Sequence, residues 1–256
     1  MERYKILKII GKGGFGVVFK VYDNEFKRLT VVKKIKKQGG DLNEVKIMKK
    51  LGDVCTKYFV CYYDYEENYE EIIIFMEWLP GYIVLTKLSS INNEQLCTLY
   101  TNIANGLKLL HDEGIAHEDI KTDNIMVNPK TMDIKIIDYG AACYKDDCKK
   151  QDIGFTYPYL DPKIYKLMQY NHIRSLDGFQ QADLWSLGII FYQLITGAYP
   201  INQYPPTKEG THTYFMKYKY SKDPARNKIN KTLDNLDCKI SLDNLLSLDV
   251  RRKYFI

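Results

Sequence analysis

The 256-residue chain is 45% hydrophobic and 27% charged, with a net charge of +5, so it can bury a substantial core in one large domain or two lobes. No apolar run approaches the roughly 20 residues of a bilayer-spanning helix, and no apolar stretch with a small-residue cleavage site follows Met1-Glu2-Arg3-Tyr4-Lys5, so an intracellular, cytoplasmic protein with no membrane contact is expected. The positive charge is mild and scattered, which argues against a nucleic-acid partner. The cysteines (Cys55, Cys61, Cys97, Cys143, Cys148, Cys238) show neither C-x-x-C spacing nor a histidine pair set for zinc, so reduced structural thiols are expected.

In chain order, residues 5–10, 17–22, 29–36 and 72–76 are β-branched or aromatic runs broken by turn residues and read as strands, with one helix over 41–51. Between the first two strands Gly11, Gly13 and Gly16 form G-x-G-x-x-G. A dinucleotide fold needs its last glycine to open a helix, but here Val17-Val18-Phe19 continues as a strand, which fits a strand-turn-strand flap. Glycines that merely build a tight hairpin remain an alternative at this point. In the third strand, alternation puts Val31, Lys33 and Ile35 on one face and Val32, Lys34 and Lys36 on the other. A lysine between two apolar neighbours suits an ammonium held over a nucleotide pocket, which selects Lys33, and a solvated edge suits Lys34. Glu44 reads either as the N3 member of a capping box begun by Asp41 or as a partner of Lys33.

Further on, Leu96, Leu99, Ile103, Leu107 and Leu110 form one helical face that stops before Gly114. Residues 184–196 are apolar nearly all round and read as a buried helix. Residues 202–230 read mostly as loop. The stretch 115–140 brings Asp119, Lys121, Asn124 and Asp138 among short apolar runs that read as strands on either side of a turn at Asn128-Pro129. One base and two hard oxygen ligands so spaced suit Mg²⁺, although any one of these residues alone is as readily a turn former.

Taken together, these motifs resemble the eukaryotic-type protein kinase family over nearly the whole chain. The resemblance rests on the glycine-rich loop 11–18, Lys33, Glu44, the hinge Met76-Glu77-Trp78-Leu79, the catalytic loop 117–124, Asp138-Tyr139-Gly140 and the helix motif from Asp183. It implies an α+β, bilobal fold in a single kinase domain, with a small β-rich N-lobe over about 1–78, a larger helical C-lobe over about 79–256, and ATP in the cleft between them. It also implies a monomer acting on protein substrates with Mg²⁺, or Mn²⁺, as cofactor. Asp119 is then the base for the substrate hydroxyl, and Lys121 neutralises the transferring phosphate. Asn124 and Asp138 hold the metal, and Lys33, steadied by Glu44, holds the α- and β-phosphates. The nucleotide site comprises Ile10, Gly11, Lys12, Gly13, Gly14, Phe15, Gly16, Val18, Val31, Lys33, Met76, Glu77, Leu79 and Met126. Glu77 and Leu79 pair with adenine through their backbone, and Asp183 and His117 brace the catalytic loop. Lys121 two places after Asp119, together with Thr156, resembles the serine/threonine branch. The residue usage, rich in Lys, Asn, Ile and Tyr, resembles an AT-rich source such as a large DNA virus or a protist, which would put the protein in a host cytoplasm or a virion.

The chain departs from the family pattern at several places. Val31 stands for the usual alanine, and Thr122 and Asp123 stand for proline and glutamate. Asp161-Pro162-Lys163 stands where the family has Ala-Pro-Glu, and spacing selects Lys253 as the cation that normally pairs with that glutamate. Two lysines form no bridge, so either the anchor is absent or Asp161 reaches Arg251 or Arg252. Glu118 occupies the place of an arginine that in many members pairs with an activation-segment phosphate. Lys145, Lys149 and Lys150 are candidates to pair with it directly, giving an ordered segment without modification, and the alternative is a solvent-facing Glu118 with a mobile segment. An active kinase is expected, the other readings being a pseudokinase scaffold that binds nucleotide or a partner and a small-molecule phosphotransferase.

Overall fold

The computed structural model describes residues 3–14, 16–37, 42–52, 57–149, 156–169, 175–200, 215, 217–236, 238–248 and 252–253. The first part is an antiparallel sheet of β1 (Tyr4–Gly13), β2 (Gly16–Asp23), β3 (Arg28–Lys36), β4 (Tyr62–Glu67) and β5 (Glu71–Glu77), in the order β1-β2-β3-β5-β4. Helix α1 (Asn43–Gly52) lies between β3 and β4 in sequence and buries Val45, Ile47, Met48 and Leu51, four apolar residues at helical spacing. β3 is central, with Lys33 opposite Val18 on one side and Ile74 on the other. It is therefore not an edge strand, being hydrogen-bonded to β2 and β5; Val31, Val32 and Lys33 are buried, while Lys34 is half-buried and Lys36 is exposed, the two lysines for which a solvated position was expected.

The second part is mainly helical. Helix α2 (Asn93–Asp112) opens with a capping box in which Gln95 N–H donates to Asn92 Oδ1 (2.8 Å) and Asn92 N–H donates to Gln95 Oε1 (3.0 Å). It ends before Gly114, whose φ of +74° a side chain rarely adopts. Two small sheets follow. One is β6 (Ile83–Val84) with β8 (Ile125–Val127) and β9 (Ile134–Ile136), and the other pairs β7 (Ile115–Ala116) with β10 (Cys143–Tyr144). Helix α3 (Pro162–Gln169) precedes α4 (Leu176–Thr196), which is capped by Ser175 and stopped by Gly197 in the left-handed region. The all-round apolar stretch within α4 is buried from Leu184 to Tyr192. Helices α5 (Arg226–Asp234) and α6 (Leu242–Leu245) follow.

Three expectations need correction. A fifth strand, β4, was not foreseen. Of the region read mostly as loop over 202–230, residues 202–214 and 216 lie outside the described residues, and its end is the start of α5, held by Ile229 and Leu233 packing inward. The described cysteines are not reduced: Cys97 pairs with Cys238 and Cys143 with Cys148, at Cα separations of 5.6 and 4.9 Å, within the reach of a disulfide. Cys61 is also disulfide-bonded. Spacing alone carries no sign of the first pair, because its 141-residue separation closes only when α2 packs near the segment before α6. Among the described residues no helix is long and apolar enough to cross a membrane.

Candidate active site

Between the sheet and the helical part lies a cleft of about 600 Å³, a size suited to a small-molecule ligand. Its roof is the β1–β2 hairpin. Gly16 there has φ +127°, and an added Cβ would lie 2.2 Å from the Lys34 carbonyl oxygen, so the close approach of β2 to β3 requires glycine at this position. Ile10, Gly11, Lys12, Gly13, Gly14, Gly16, Val18, Val31, Lys33, Met76, Glu77, Leu79 and Met126 all line the cleft. Phe15 lies outside the described residues. Sequence reasoning missed Met48, Val60, Tyr82, Val84 and Ile137, which also line it, because they come from elements whose meeting only the fold reveals.

At the inner end, Lys33 Nζ donates to both Glu44 carboxylate oxygens at 2.7 Å and to Asp138 Oδ1 at 2.7 Å. Of the two readings of Glu44, the pairing with Lys33 is the one observed, α1 turning it toward β3; Asp41, on which the capping-box reading rests, lies outside the described residues. Burial works against the charge on Lys33, but Glu44 and Asp138 outweigh it and hold the ammonium above the ordinary lysine range. Burial likewise pushes Asp138 up, and Lys33 outweighs it, leaving the carboxyl below its usual range. Asp138 has φ +65°, a strained conformation of the kind found at functional positions. Neighbouring Tyr139 is fully buried, with its hydroxyl donating to Ile136 O (2.9 Å). Lys34, on the other face, pairs with Glu71 at 3.2 Å.

Across the cleft, Asp119 is at the centre of a hydrogen-bond group. Lys121 Nζ donates to Asp119 Oδ2 (2.6 Å) and to Thr156 Oγ1 (3.0 Å), and Thr156 Oγ1 donates to Asp119 Oδ1 (2.8 Å). Asn124 Nδ2 donates to the Asp119 carbonyl (2.8 Å) and to its Oδ2 (2.9 Å). With its NH₂ so engaged, Asn124 has the amide oxygen left as a ligand atom. One carboxylate from Asp138 and one amide oxygen, with room for water and phosphate oxygens, fit the donor set of Mg²⁺ or Mn²⁺.

Asp183, on α4, fixes the loop from below: its Oδ2 accepts from His117 N–H (2.8 Å), its Oδ1 accepts from Glu118 N–H (2.9 Å), and His111 Nε2 lies 2.9 Å from Oδ2. His117 Nε2 lies 3.1 Å from the Ile137 carbonyl oxygen. Both residues are internal braces, as expected. Thr122 and Asp123, the two departures in this loop, bond to Tyr159 OH (2.9 Å) and Thr86 Oγ1 (3.1 Å).

The hinge carries a further brace that was not foreseen. Glu77 Oε2 accepts from Lys135 Nζ (3.1 Å) and from Cys61 N–H (3.2 Å), while Lys135 also donates to the Phe59 carbonyl (2.9 Å). Lys135 sits in the apolar run of β9, and that break in the pattern was its one signal in the sequence. The platform anchor is present in altered form. Arg252 Nη1 bonds to Asp161 Oδ2 at 2.6 Å with both side chains buried, so Arg252 fills the role that spacing gave to Lys253. Lys253 N–H instead donates to Asn244 Oδ1 (2.7 Å), and Arg251 lies outside the described residues. The Lys145 ammonium sits over the Tyr144 ring (5.1 Å), and the Lys149 side chain and Lys150 lie outside the described residues.

A β-rich lobe and a helical lobe meeting at such a cleft mark the protein kinases as a class. The protein kinase domain family matches residues 4–253, and the chain belongs to that family. It is 29% identical over 210 residues to the serine/threonine-protein kinase Nek5 of Mus musculus, across 78% of this chain and 32% of that protein. It is 30% identical over 217 residues to the serine/threonine-protein kinase ULK1 of Homo sapiens, across 77% and 20%. It is also 30% identical over 226 residues to the serine/threonine-protein kinase dkf-1 of Caenorhabditis elegans, across 78% and 29%. The matched region therefore makes up between a fifth and a third of these relatives.

Proposed function

We propose that the chain is one protein kinase domain, its lobes meeting near residue 78, that transfers the γ-phosphoryl group of ATP to serine or threonine hydroxyls of protein substrates, and that it needs no activation-segment phosphate to do so. The observation that carries this reading is the Asp119–Lys121–Thr156 group facing the Lys33–Glu44 pair across the cleft. Adenine lies between the apolar residues Ile10, Val18, Val31 and Met126, against the backbone of Glu77 and Leu79. Lys33 holds the α- and β-phosphates, and its pairing with Glu44 keeps it extended toward them. The substrate hydroxyl gives its proton to Asp119 as its oxygen bonds to the γ-phosphorus and the bond from that phosphorus to the β-phosphate oxygen breaks; Lys121 offsets the charge on the transferring group. Mg²⁺ held by Asn124 and Asp138 supplies charge neutralisation at the phosphates.

Independence from phosphorylation is supported by the ordering of Thr156 and Lys121 on Asp119, and by Glu118 standing where an arginine would receive a phosphate. The test uses protein made in bacteria and treated with phosphatase, given labelled ATP and myelin basic protein, with Asp119→Asn as control. Transfer to serine or threonine by the parent at once, with the control at least about 10²-fold slower, is expected. No transfer by the parent, with ATP still bound, moves the reading to a pseudokinase scaffold. Activity that appears only after phosphate is mapped to Tyr144, Thr156 or Tyr157 overturns the independence.

A further inference from the structure

We infer that Cys143 and Cys148 form a reversible thiol–disulfide modification site that fixes the start of the activation segment onto the catalytic loop, the bonded form being the one competent toward protein substrates. Cys143 lies in β10, opposite Ala116 of β7, one residue before His117. Cys148 lies in the 3₁₀ segment that follows β10 (Lys145–Lys149), at a kink where its own backbone departs from helical geometry. Both are buried, in a small core of their own with Ala116, Leu160, Ile164 and Phe179. That cluster joins the first part of the activation segment to its far end at Leu160, to the strand ahead of the catalytic loop, and to α3 and α4. The disulfide is the only covalent tie in this cluster among the described residues.

Two features make the site reversible rather than a permanent staple. The cysteines are five positions apart, so after reduction the thiols stay within reach of each other; Cys97 and Cys238 are 141 positions apart and depend on the whole fold to meet. The segment that holds Cys148 is a short 3₁₀ segment kinked at Cys148, with exposed Lys145 and Asp147, the kind of element that opens locally at small cost. The reduced form is the less comfortable one in this cluster. Two unbonded sulfurs need more room than a bonded pair, and the Glu118 carboxylate lies beside both, the three ligand atoms all within 4.8 Å of one another. A thiolate forming there meets a like charge. Reduction is therefore relieved by moving the 3₁₀ stretch away from β10, which loosens the platform side of the cleft and leaves Lys33 and Glu44 in place.

The chemistry is thiol–disulfide exchange with a small-molecule disulfide. One cysteine thiolate attacks a sulfur of the small disulfide, whose S–S bond breaks, and one small thiolate leaves. The second cysteine thiolate then attacks the mixed disulfide and expels the other. Two electrons pass from the cysteines to the small disulfide, and the two protons go to the departing thiolates.

This inference rests on the kinase reading for its activity arm only. The protein is equilibrated in glutathione buffers from reducing to oxidising, its free thiols are trapped by alkylation, and peptide mass spectrometry follows the Cys143–Cys148 link. In parallel, hydrogen exchange over residues 140–149 and steady-state kinetics on a serine peptide are recorded. Expected are a linked peptide that opens and closes with the buffer, faster exchange on opening, and a peptide KM raised about fivefold or more with the KM for ATP unchanged. The Cys97→Ser/Cys238→Ser variant keeps the response, and Cys143→Ser/Cys148→Ser shows the reduced behaviour in every buffer. The inference is overturned if both thiols remain alkylatable in the most oxidising buffer, if the link forms without changing exchange or peptide KM, or if the response disappears in Cys97→Ser/Cys238→Ser. Absence of any phosphoryl transfer, with exchange still following the buffer, refutes the kinase reading and leaves the redox site standing.

Discussion

Replacing Arg252 by methionine tests the altered platform anchor. The side chains of Arg252 and Asp161 are 0% and 1% exposed and meet at 2.6 Å. The guanidinium also donates to the carbonyls of Gln181 (2.8 Å) and Ser247 (2.9 Å) and lies over the Trp185 ring at 5.1 Å. Methionine approximates the volume but removes the cation, leaving the Asp161 carboxylate buried with the Lys163 N–H (2.8 Å) as its hydrogen-bond donor. Breaking one side of a buried ion pair costs about 3–5 kcal/mol. In a chain of this length each kcal/mol moves Tm by roughly 2–4 °C, so a fall of about 6–20 °C is expected. Arg252→Lys keeps the charge but has no planar fork to serve three acceptors at once, and its loss should be intermediate. Urea denaturation followed by circular dichroism gives the free energies, and the double variant Arg252→Met/Asp161→Leu should recover part of the loss because neither charge remains. A single-variant loss below about 1 kcal/mol, or a double variant whose loss equals the sum of the two singles, would refute the argument that this pair acts as one buried unit.

Three further outcomes follow from the cleft and the surface. Lys33→Ala should lower kcat/KM at least about 10²-fold, close to 2.7 kcal/mol of transition-state stabilisation, while Lys34→Ala, whose partner Glu71 faces away from the cleft, changes it little; the reverse order in a peptide assay would show the strand register to be wrong. Gly16→Ala places a methyl 2.2 Å from the Lys34 carbonyl oxygen at φ +127°, whereas at Gly13 nothing lies within 4 Å of the added Cβ. The first should lower Tm and weaken ATP binding, by about 1–3 kcal/mol for the strained backbone, and the second should leave Tm unchanged; equal melting curves would count against the hairpin geometry. Burial pushes Asp243 up, but Arg226 (2.6 and 2.9 Å) and Asn230 (2.9 Å) outweigh it, and its folded-state pKa lies below the ordinary aspartate value. Its stabilising contribution is thus present above the unfolded pKa of about 3.9 and is lost as pH falls through the lower folded value. The Tm difference between the parent and Asp243→Asn should be steady from neutral pH to about pH 5 and close below about pH 4, and a difference that persists at the acid end would contradict the pairing.

The parts of the fold that the sequence disclosed are those in which one local rule acts alone. Val31-Val32-Lys33 alternates as a strand must, Leu96 to Leu110 repeats as a helix must, and Gly114 ends a helix where a left-handed residue is needed. β4 was missed because Tyr62-Tyr63-Asp64-Tyr65-Glu66-Glu67 is half acidic and half tyrosine, with no aliphatic residue to mark a face. It is an edge strand that pairs with β5 on one side only, and partly exposed tyrosines suffice there. The disulfides were missed for a different reason. Absence of C-x-x-C says nothing about cysteines brought together by packing, and the five-position spacing of Cys143 and Cys148 matches no standard motif.

The contrast between the reacting residues and their supports has a common cause. A phosphoryl-transfer site constrains residue type, since a base, a cation and two hard oxygen ligands have few substitutes, and their order follows the strand and loop order of the fold. On the proposed function, that is why Lys33, Asp119, Lys121, Asn124 and Asp138 could be numbered from the sequence. A support constrains only charge and reach. Asp161 needs a buried cation with several donors, and a chain that returns beneath α4 can offer it from residue 252 as well as from 253. Counting residues therefore selected Lys253, whereas energetics selects the guanidinium. Burying a lysine there would leave the Gln181 and Ser247 carbonyls dependent on a single ammonium, while Arg252 reaches both and Asp161 as well. The same holds for Lys135 at Glu77: nothing in the hinge motif demands it, but the buried Lys135 needs an acceptor for its ammonium, and the register of β9 brings it within 3.1 Å of the half-buried Glu77 carboxylate at the junction of β5 and the hinge.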